Sequence, residues 1–166
     1  MRYFVTGATG LIGRSISDQL AKSRCNQVRA LSRQNAYFQS RNIHSVVADL
    51  ALLSREELVR MLDTSDCLIH CAAHMSHVSN QDLIDSGVVN IDGTNNLFLA
   101  AIDAKLKLII YISGFNFLAQ PLETPVVETH PLGARNLYGC VKLWGELSLF
   151  HATQNCSTRA ISLRVS

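Results

Sequence analysis

The sequence predicts an α/β fold, a doubly wound parallel sheet with helices packed on both faces. Three observations carry this reading. Short apolar runs alternate with longer amphipathic ones along the chain, which is the pattern of βαβ units. The first apolar run passes straight into a glycine-rich turn and then an amphipathic helix, as a Rossmann-type domain opens. Hydrophobic residues make up 48% of the 166 and charged residues only 17%, so many segments must be buried on more than one side. The length suits one domain, residues 1–166, with a core large enough to fold.

The elements follow in order. Residues 2–6 read as a strand. Residues 11 to about 24 read as a helix with Leu11, Ile12, Ile16, Leu20 and Ala21 on its buried side,. Residues 27–32 and 45–48 are the next strands. Ser54 has the N-cap position of a helix reaching residue 62, and Glu57 completes a capping box,. Residues 66–71 form a fourth strand. Residues 82–104 read as a long helix, irregular near Gly87 and Gly93, and residues 106–113 as an apolar fifth strand,. Residues 116–136 hold all three prolines (Pro121, Pro125, Pro131) and read as a loop,. A helix over 137 to about 153 and a sixth strand over 158–165 complete the chain. No internal repeat, low-complexity segment or interdomain linker interrupts the pattern.

Composition excludes several classes. The net charge of +2, without a basic run, argues against a nucleic-acid partner,. No stretch reaches the ~18 apolar residues that span a bilayer, and the first residues lack the charged and apolar regions of a signal peptide,. The expected setting is the cytoplasm, away from membranes. Five cysteines (Cys25, Cys67, Cys71, Cys140, Cys156) are an odd number and fit reduced, packed thiols,. Cys67, His70, Cys71, His74 and His77 match no usual metal-ligand spacing,, so no metal is expected.

Chemistry concentrates first in Thr6-Gly7-Ala8-Thr9-Gly10-Leu11-Ile12-Gly13. Gly7 suits the tight turn after the strand, Gly10 a close approach of backbone to a pyrophosphate, and Gly13 close packing of helix and sheet. The helix N-terminus presents free N–H groups to the phosphates. A dinucleotide is the expected ligand. The next strand ends in Leu31-Ser32-Arg33, where an acid would grip a ribose 2′-hydroxyl. Arg33, with Ser32 and the nearby Arg14, suits a 2′-phosphate instead, which favours NADP(H) over NAD(H).

With these residues in view, the chain resembles the extended short-chain dehydrogenase/reductase family, also called the NAD-dependent epimerase/dehydratase family. The likeness covers the whole chain. It rests on the glycine loop from Thr6 to Gly13, on Asp49-Leu50, on Leu68-Ile69-His70-Cys71-Ala72-Ala73, on Asn90-Ile91-Asp92-Gly93-Thr94 and on Tyr138-Gly139-Cys140-Val141-Lys142. The resemblance implies that Thr6, Gly7, Thr9, Gly10, Leu11, Ile12, Gly13, Asp49, Leu50, Cys71, Ala72, Ala73, Asn90, Tyr138 and Lys142 meet the cofactor, and Arg33 joins them on the chemistry of its own position.

Tyr138 and Lys142 also make chemical sense alone. Residues four apart share a helix face. An ammonium beside a phenol favours the phenolate and lowers its pKa, fitting Tyr138 for acid–base work on a carbonyl or alcohol. The resemblance implies a third partner, a Ser or Thr after the fifth strand. Matched without gaps, that slot falls on Gly114; either its neighbour Ser113 serves, or the hydroxyl is absent.

The implied activity is that of an NAD(P)-dependent oxidoreductase or epimerase/dehydratase acting on a small molecule such as a nucleotide sugar. The alternative is an NADP(H)-binding sensor or regulator, or an inactive truncated protein, without turnover. The chain stops at the sixth strand, so the C-terminal substrate domain that the resemblance implies is expected to be missing. The resemblance also implies a homodimer through the helices at 82–104 and 137–153.

Overall fold

In the computed structural model, which describes residues 1–74, 80–120 and 124–166, six strands form one sheet in the order β3-β2-β1-β4-β5-β6. The strands are β1 (Arg2–Thr6), β2 (Gln27–Ser32), β3 (Ile43–Val47), β4 (Cys67–His70), β5 (Leu108–Gly114) and β6 (Arg159–Val165). The helices are α1 (Leu11–Leu20), α2 (Arg55–Leu62), α3 (Asn80–Gly87), α4 (Thr94–Asp103) and α5 (Leu137–Thr153). Every strand pair is parallel. The order reverses between β1 and β4, which opens a crevice at the carboxyl ends of those strands.

Strand alternation builds two cores. Val5, Val28, Ala30, Cys67 and Ile69 pack with Ile16, Leu20 and Ala21 of the α1 region. Phe4, Leu68, Ile109 and Tyr111 point the other way, against Leu58 and Leu62 of α2, Leu97 and Phe98 of α4 and Leu149 of α5. Helices therefore cover both faces, as the sequence predicts.

β1, β2 and α5 keep the bounds read from sequence. Ser54 caps α2 as expected: its hydroxyl accepts from the Glu57 N–H at 3.3 Å while the Glu57 carboxylate accepts from the Ser54 N–H at 2.9 Å. β3 starts two residues early, because buried Ile43 pairs with Val28. β4 is trimmed to Cys67–His70, and β5 shifts to Leu108–Gly114.

α1 departs in two ways. It ends at Leu20, whose carbonyl accepts from Asn26 Nδ2 at 3.0 Å. And Leu11 and Ile12 are exposed, at 90% and 41%, while Gly13 and Ser17 are its buried residues. The helix starts past the end of β1, where the glycine turn rather than the sheet underlies its first residues.

The long irregular helix resolves into α3, a π-helical turn over Val88–Gly93 and α4. The break falls at the two expected glycines. The Thr94 hydroxyl donates to the Val89 carbonyl at 3.3 Å, five residues back, which suits the wider turn. The proline-rich segment is more ordered than a loop: Leu118 and Leu132 form an antiparallel bridge, flanked by Ala119 N–H to Pro131 carbonyl and Gly133 N–H to Phe117 carbonyl, both 2.8 Å. His77 and Pro121 lie outside the described residues. Among the described residues, no helix is long and apolar enough to cross a membrane.

Candidate functional site

The glycine turn sits where the sheet order reverses. Gly7 has φ +64°, and a Cβ there would lie 2.7 Å from the Ala72 nitrogen. The backbone leaving β4 thus presses directly on the turn, and a side chain is barred by both conformation and space. A Cβ on Gly13 would overlap the Gly7 carbonyl, so the same turn receives the helix.

A cleft opens beside this turn. It is lined by Gly7, Thr9 and Gly10, by Leu31 and Ser32 at the end of β2 and Arg33 after it, by Ala48, Asp49 and Leu50 after β3, by Cys71, Ala72, Ala73 and His74 after β4, and by Val89 of the π turn. Nine residues expected to meet the cofactor are among them: Gly7, Thr9, Gly10, Arg33, Asp49, Leu50, Cys71, Ala72 and Ala73. The sequence does not single out Leu31, Ala48, His74 and Val89 as cleft residues. Their signal lay in position alone, since each flanks a strand end or motif residue already singled out.

The remaining candidates sit elsewhere. Thr6 is fully buried, its hydroxyl 2.7 Å from His70 Nδ1 and accepting from the Ala72 N–H at 3.2 Å. Asn90 is also buried. Its Oδ1 accepts from the His74 N–H, and its Nδ2 donates to the His74 carbonyl, both at 2.8 Å. It holds the segment after β4 in place rather than lining the cleft. Leu11 and Ile12 stand at the exposed start of α1, and Gly13 is covered beneath it. Ser32 lines the cleft, but its hydroxyl donates to the Gln34 carbonyl at 2.7 Å, so it shapes the turn that carries Arg33. Arg14 pairs with Asp18 at 3.2 Å and stacks 4.4 Å over Phe38, outside the cleft lining.

α5 brings the acid–base pair. Asn136 caps it, accepting from the Gly139 N–H at 2.7 Å. A Cβ on Gly139 would overlap the Asn116 carbonyl, so the glycine inside the Tyr138–Lys142 motif seats the helix on the chain after β5. Lys142 is 4% exposed and donates to the Ile112 carbonyl at 2.8 Å. Its ammonium lies 4.8 Å from the Tyr111 ring centre and 5.6 Å from that of Tyr138. Burial holds Lys142 down to about 8. Burial also raises Tyr138, opposite to the lowering expected from sequence. The cause is desolvation of the phenol, while the lysine is turned to a backbone carbonyl.

Ser113 follows Ile109 and Tyr111 in alternation, which places it on the sheet face that α5 covers. Its hydroxyl is buried without a hydrogen-bond partner among the described residues. Gly114 lies beside Asn116, whose Oδ1 would be 3.0 Å from a Cβ there. Cys67 and Cys71 belong to the α1 side of the sheet and His70 to the other; the described residues contain no group of three or more His, Cys, Asp or Glu placed to hold a metal.

A doubly wound sheet with a glycine turn at its switch point, and a Tyr-x-x-x-Lys helix alongside, defines a dinucleotide-binding class of domain. Residues 3–166 match the NAD dependent epimerase/dehydratase family, and the chain belongs to that family. It is 33% identical over 142 residues to a 4-hydroxy-2-methyl-3-oxo-4-farnesyl-3,4-dihydroquinoline-1-oxide ketoreductase of Stigmatella aurantiaca, covering 84% of this chain and 41% of that protein. It is 27% identical over 152 residues to a dTDP-4-dehydrorhamnose reductase of Mycolicibacterium smegmatis, covering 91% of this chain and 42% of the relative. The solved structure of a short-chain dehydrogenase/reductase superfamily protein from Agrobacterium tumefaciens, with bound NAD, superposes at a TM-score of 0.87 and 25% identity, over 99% of this chain and 48% of that one. The chain thus spans less than half the length of these relatives.

Proposed function

We propose that the cleft binds a nicotinamide dinucleotide, NADP(H) in preference to NAD(H), and that Tyr138, Lys142 and Ser113 serve carbonyl–alcohol chemistry on a small molecule such as a nucleotide sugar. The observation that carries this is the cleft lining itself. Backbone that tolerates no Cβ at Gly7 and an arginine after β2 border one cavity, and the Tyr138–Lys142 helix packs on the same sheet. The cradle fits a pyrophosphate, and Arg33 stands where a 2′-phosphate would be read.

The dinucleotide, when bound, supplies or accepts hydride at its nicotinamide ring. The chain's own residues do the rest. The N-terminal turn of α1 meets phosphate charge with free N–H groups. Tyr138 gives a proton to the substrate oxygen during reduction and takes it back in the reverse direction. Lys142 supplies positive charge beside the phenolate. Ser113, whose buried hydroxyl has no partner among the described residues, is the group available to hold the substrate oxygen. The two curated relatives named as a ketoreductase and a reductase favour carbonyl reduction.

Fluorescence titration with NADPH and NADH tests the binding half. NADPH should bind more tightly, and Arg33→Ala should remove about tenfold of that preference, the loss of one charge-assisted contact. Equal affinity for both in the wild-type chain would overturn the NADP(H) assignment. For catalysis, Tyr138→Phe should lower turnover of a carbonyl panel by roughly 10²–10⁴-fold. A second reading, a dinucleotide sensor without turnover, is favoured by Gly114 at the usual hydroxyl position. Tight NADPH binding with no oxidation of it by any member of the panel would select that reading.

A further inference from the structure

Beneath the cleft runs a buried chain of hydrogen bonds that the acid–base chemistry does not use. The Ala72 N–H donates to Thr6 Oγ1 at 3.2 Å. Thr6 Oγ1 lies 2.7 Å from His70 Nδ1, and His70 Nε2 lies 3.0 Å from Thr94 Oγ1. The Thr94 hydroxyl donates to the Val89 carbonyl at 3.3 Å. Thr6, His70 and Thr94 are 0%, 1% and 2% exposed.

The donors fix the direction of the chain. Thr94 spends its one hydrogen on Val89, so it must accept from His70 Nε2–H. Thr6 accepts from Ala72 and has its hydrogen free for His70 Nδ1. Each buried group is then satisfied with one neutral imidazole tautomer. The ring cannot swing to another partner, because it stacks on Tyr111 at 5.6 Å and meets Phe98 edge-on at 5.7 Å.

Both ends of this chain, Ala72 and Val89, line the cleft. Thr6 directly precedes Gly7. A histidine satisfied only for the sake of the core need not terminate on the walls of a binding site. We propose that His70, protonated on Nε2, is a positioning residue for the dinucleotide cleft: it sets the spacing of the glycine turn, the backbone after β4 and the π turn. This rests on the reading of the cleft as a dinucleotide site. The residue does not touch the ligand; it acts through Thr6, Ala72, Thr94 and Val89.

Two measurements on the full 166-residue chain test it. The first is 15N NMR of the histidine rings without ligand. His70 should show a single tautomer, protonated on Nε2, unchanged from pH 8 to pH 5, in keeping with burial that holds it down to about 3. An Nδ1–H tautomer, a mixture, or titration within that range would overturn the assignment. The second is NADPH affinity. His70→Phe keeps the ring contacts and removes both hydrogen bonds, and should weaken binding about tenfold. Thr94→Val should do the same and Thr94→Ser should stay near wild type. The double variant His70→Phe/Thr94→Val should be no weaker than either single one, because the same chain is already cut. Additive losses, or undiminished affinity in His70→Phe, would overturn the inference alone. If His70→Phe does not fold, the Thr94 pair still decides. A wild-type chain that binds neither NADPH nor NADH would instead remove the dinucleotide reading, and this inference with it.

Discussion

The two ends of the central strands handle polar groups in opposite ways. At the amino ends, Asp66 collects the starts of three neighbouring strands. It accepts from the Arg2 N–H at 2.9 Å, and its carboxylate lies 3.3 Å from the Arg2 guanidinium and 3.2 Å from Lys107 Nζ. Those two cations are 56% and 73% exposed, so water shares the charge. At the carboxyl ends, beside the cleft, the polar groups are dry. Thr6, His70 and Thr94 are joined by neutral hydrogen bonds, Ser113 has a buried hydroxyl without a partner among the described residues, and Lys142 keeps an ammonium where burial disfavours it. Burying polar groups costs stability unless each is matched. The amino ends tie neighbouring strands with solvent-shared charge; the carboxyl ends give up some stability around the preshaped cleft and the proposed acid–base site. Three substitutions probe that contrast.

The largest effect is expected at Gly13. Gly13→Ala forces a methyl group into the Gly7 carbonyl, and both partners are backbone. The variant should lose about 3 kcal/mol, the upper range for overpacking, and NADPH binding with it. Urea unfolding gives the first quantity and titration the second. A variant with wild-type midpoint and affinity would mean that helix and turn can part without harm, and that the close packing at Gly13 is not needed for the cleft.

Much of this contrast was legible in the sequence, and the unread part has a physical pattern. Strand positions, the Ser54–Glu57 capping box and the two breaks in the long helix follow from local chemistry. So do the cleft-lining residues of the glycine turn and the arginine after β2. The role of His70 was not legible, because its partners lie 64 and 24 residues away in the chain. A hint was present: Thr6 and His70 are polar residues that end apolar strands, and the parallel register sets them side by side. The Asn90 side chain's bonds to His74 are likewise not legible, since a motif gives a residue's address and not the direction of its side chain. Leu11 and Ile12 misled because helical periodicity marks an apolar stripe without saying where the sheet beneath it ends. The direction of the Tyr138 shift is not legible from spacing, which shows that a lysine is near but not that its ammonium is turned to Ile112.

Lys142→Met should have the second-largest effect, in the opposite direction. The wild-type ammonium is held down to about 8 by burial, against 10.5 unperturbed. Between those values the unfolded chain binds a proton that the folded chain does not, so wild-type stability rises with pH across this window. Below it the full cost of the buried charge is present. Removing the charge while keeping an apolar stem should stabilise the chain by about 2 kcal/mol at pH 7, after allowing for the lost bond to Ile112. That gain should shrink to nothing near the unperturbed value, while any carbonyl turnover is lost at all pH. A variant less stable than wild type at pH 7 would break the claim that this edge gives up stability for chemistry.

Asp66→Asn, at the other end, should show the smallest effect and leave the cleft alone. Hydrogen bonds to Arg2, first its side chain and then its backbone, hold the Asp66 carboxyl well below the usual carboxylate range. A depressed folded value contributes stability above the unfolded pKa, and that contribution is lost as pH falls. The wild-type chain should therefore weaken below about pH 4, where the unfolded carboxylate starts to take up its proton. The asparagine variant should lack that part of the acid loss and start about 1 kcal/mol lower at pH 7, since the pair is half in water and screened. Added salt should narrow the gap between the two. NADPH affinity should not change, because Asp66 sits at the opposite ends of the strands that form the cleft. A drop in NADPH affinity as large as that of His70→Phe would show that the two edges are coupled through the sheet, and the division of labour between them would have to be abandoned.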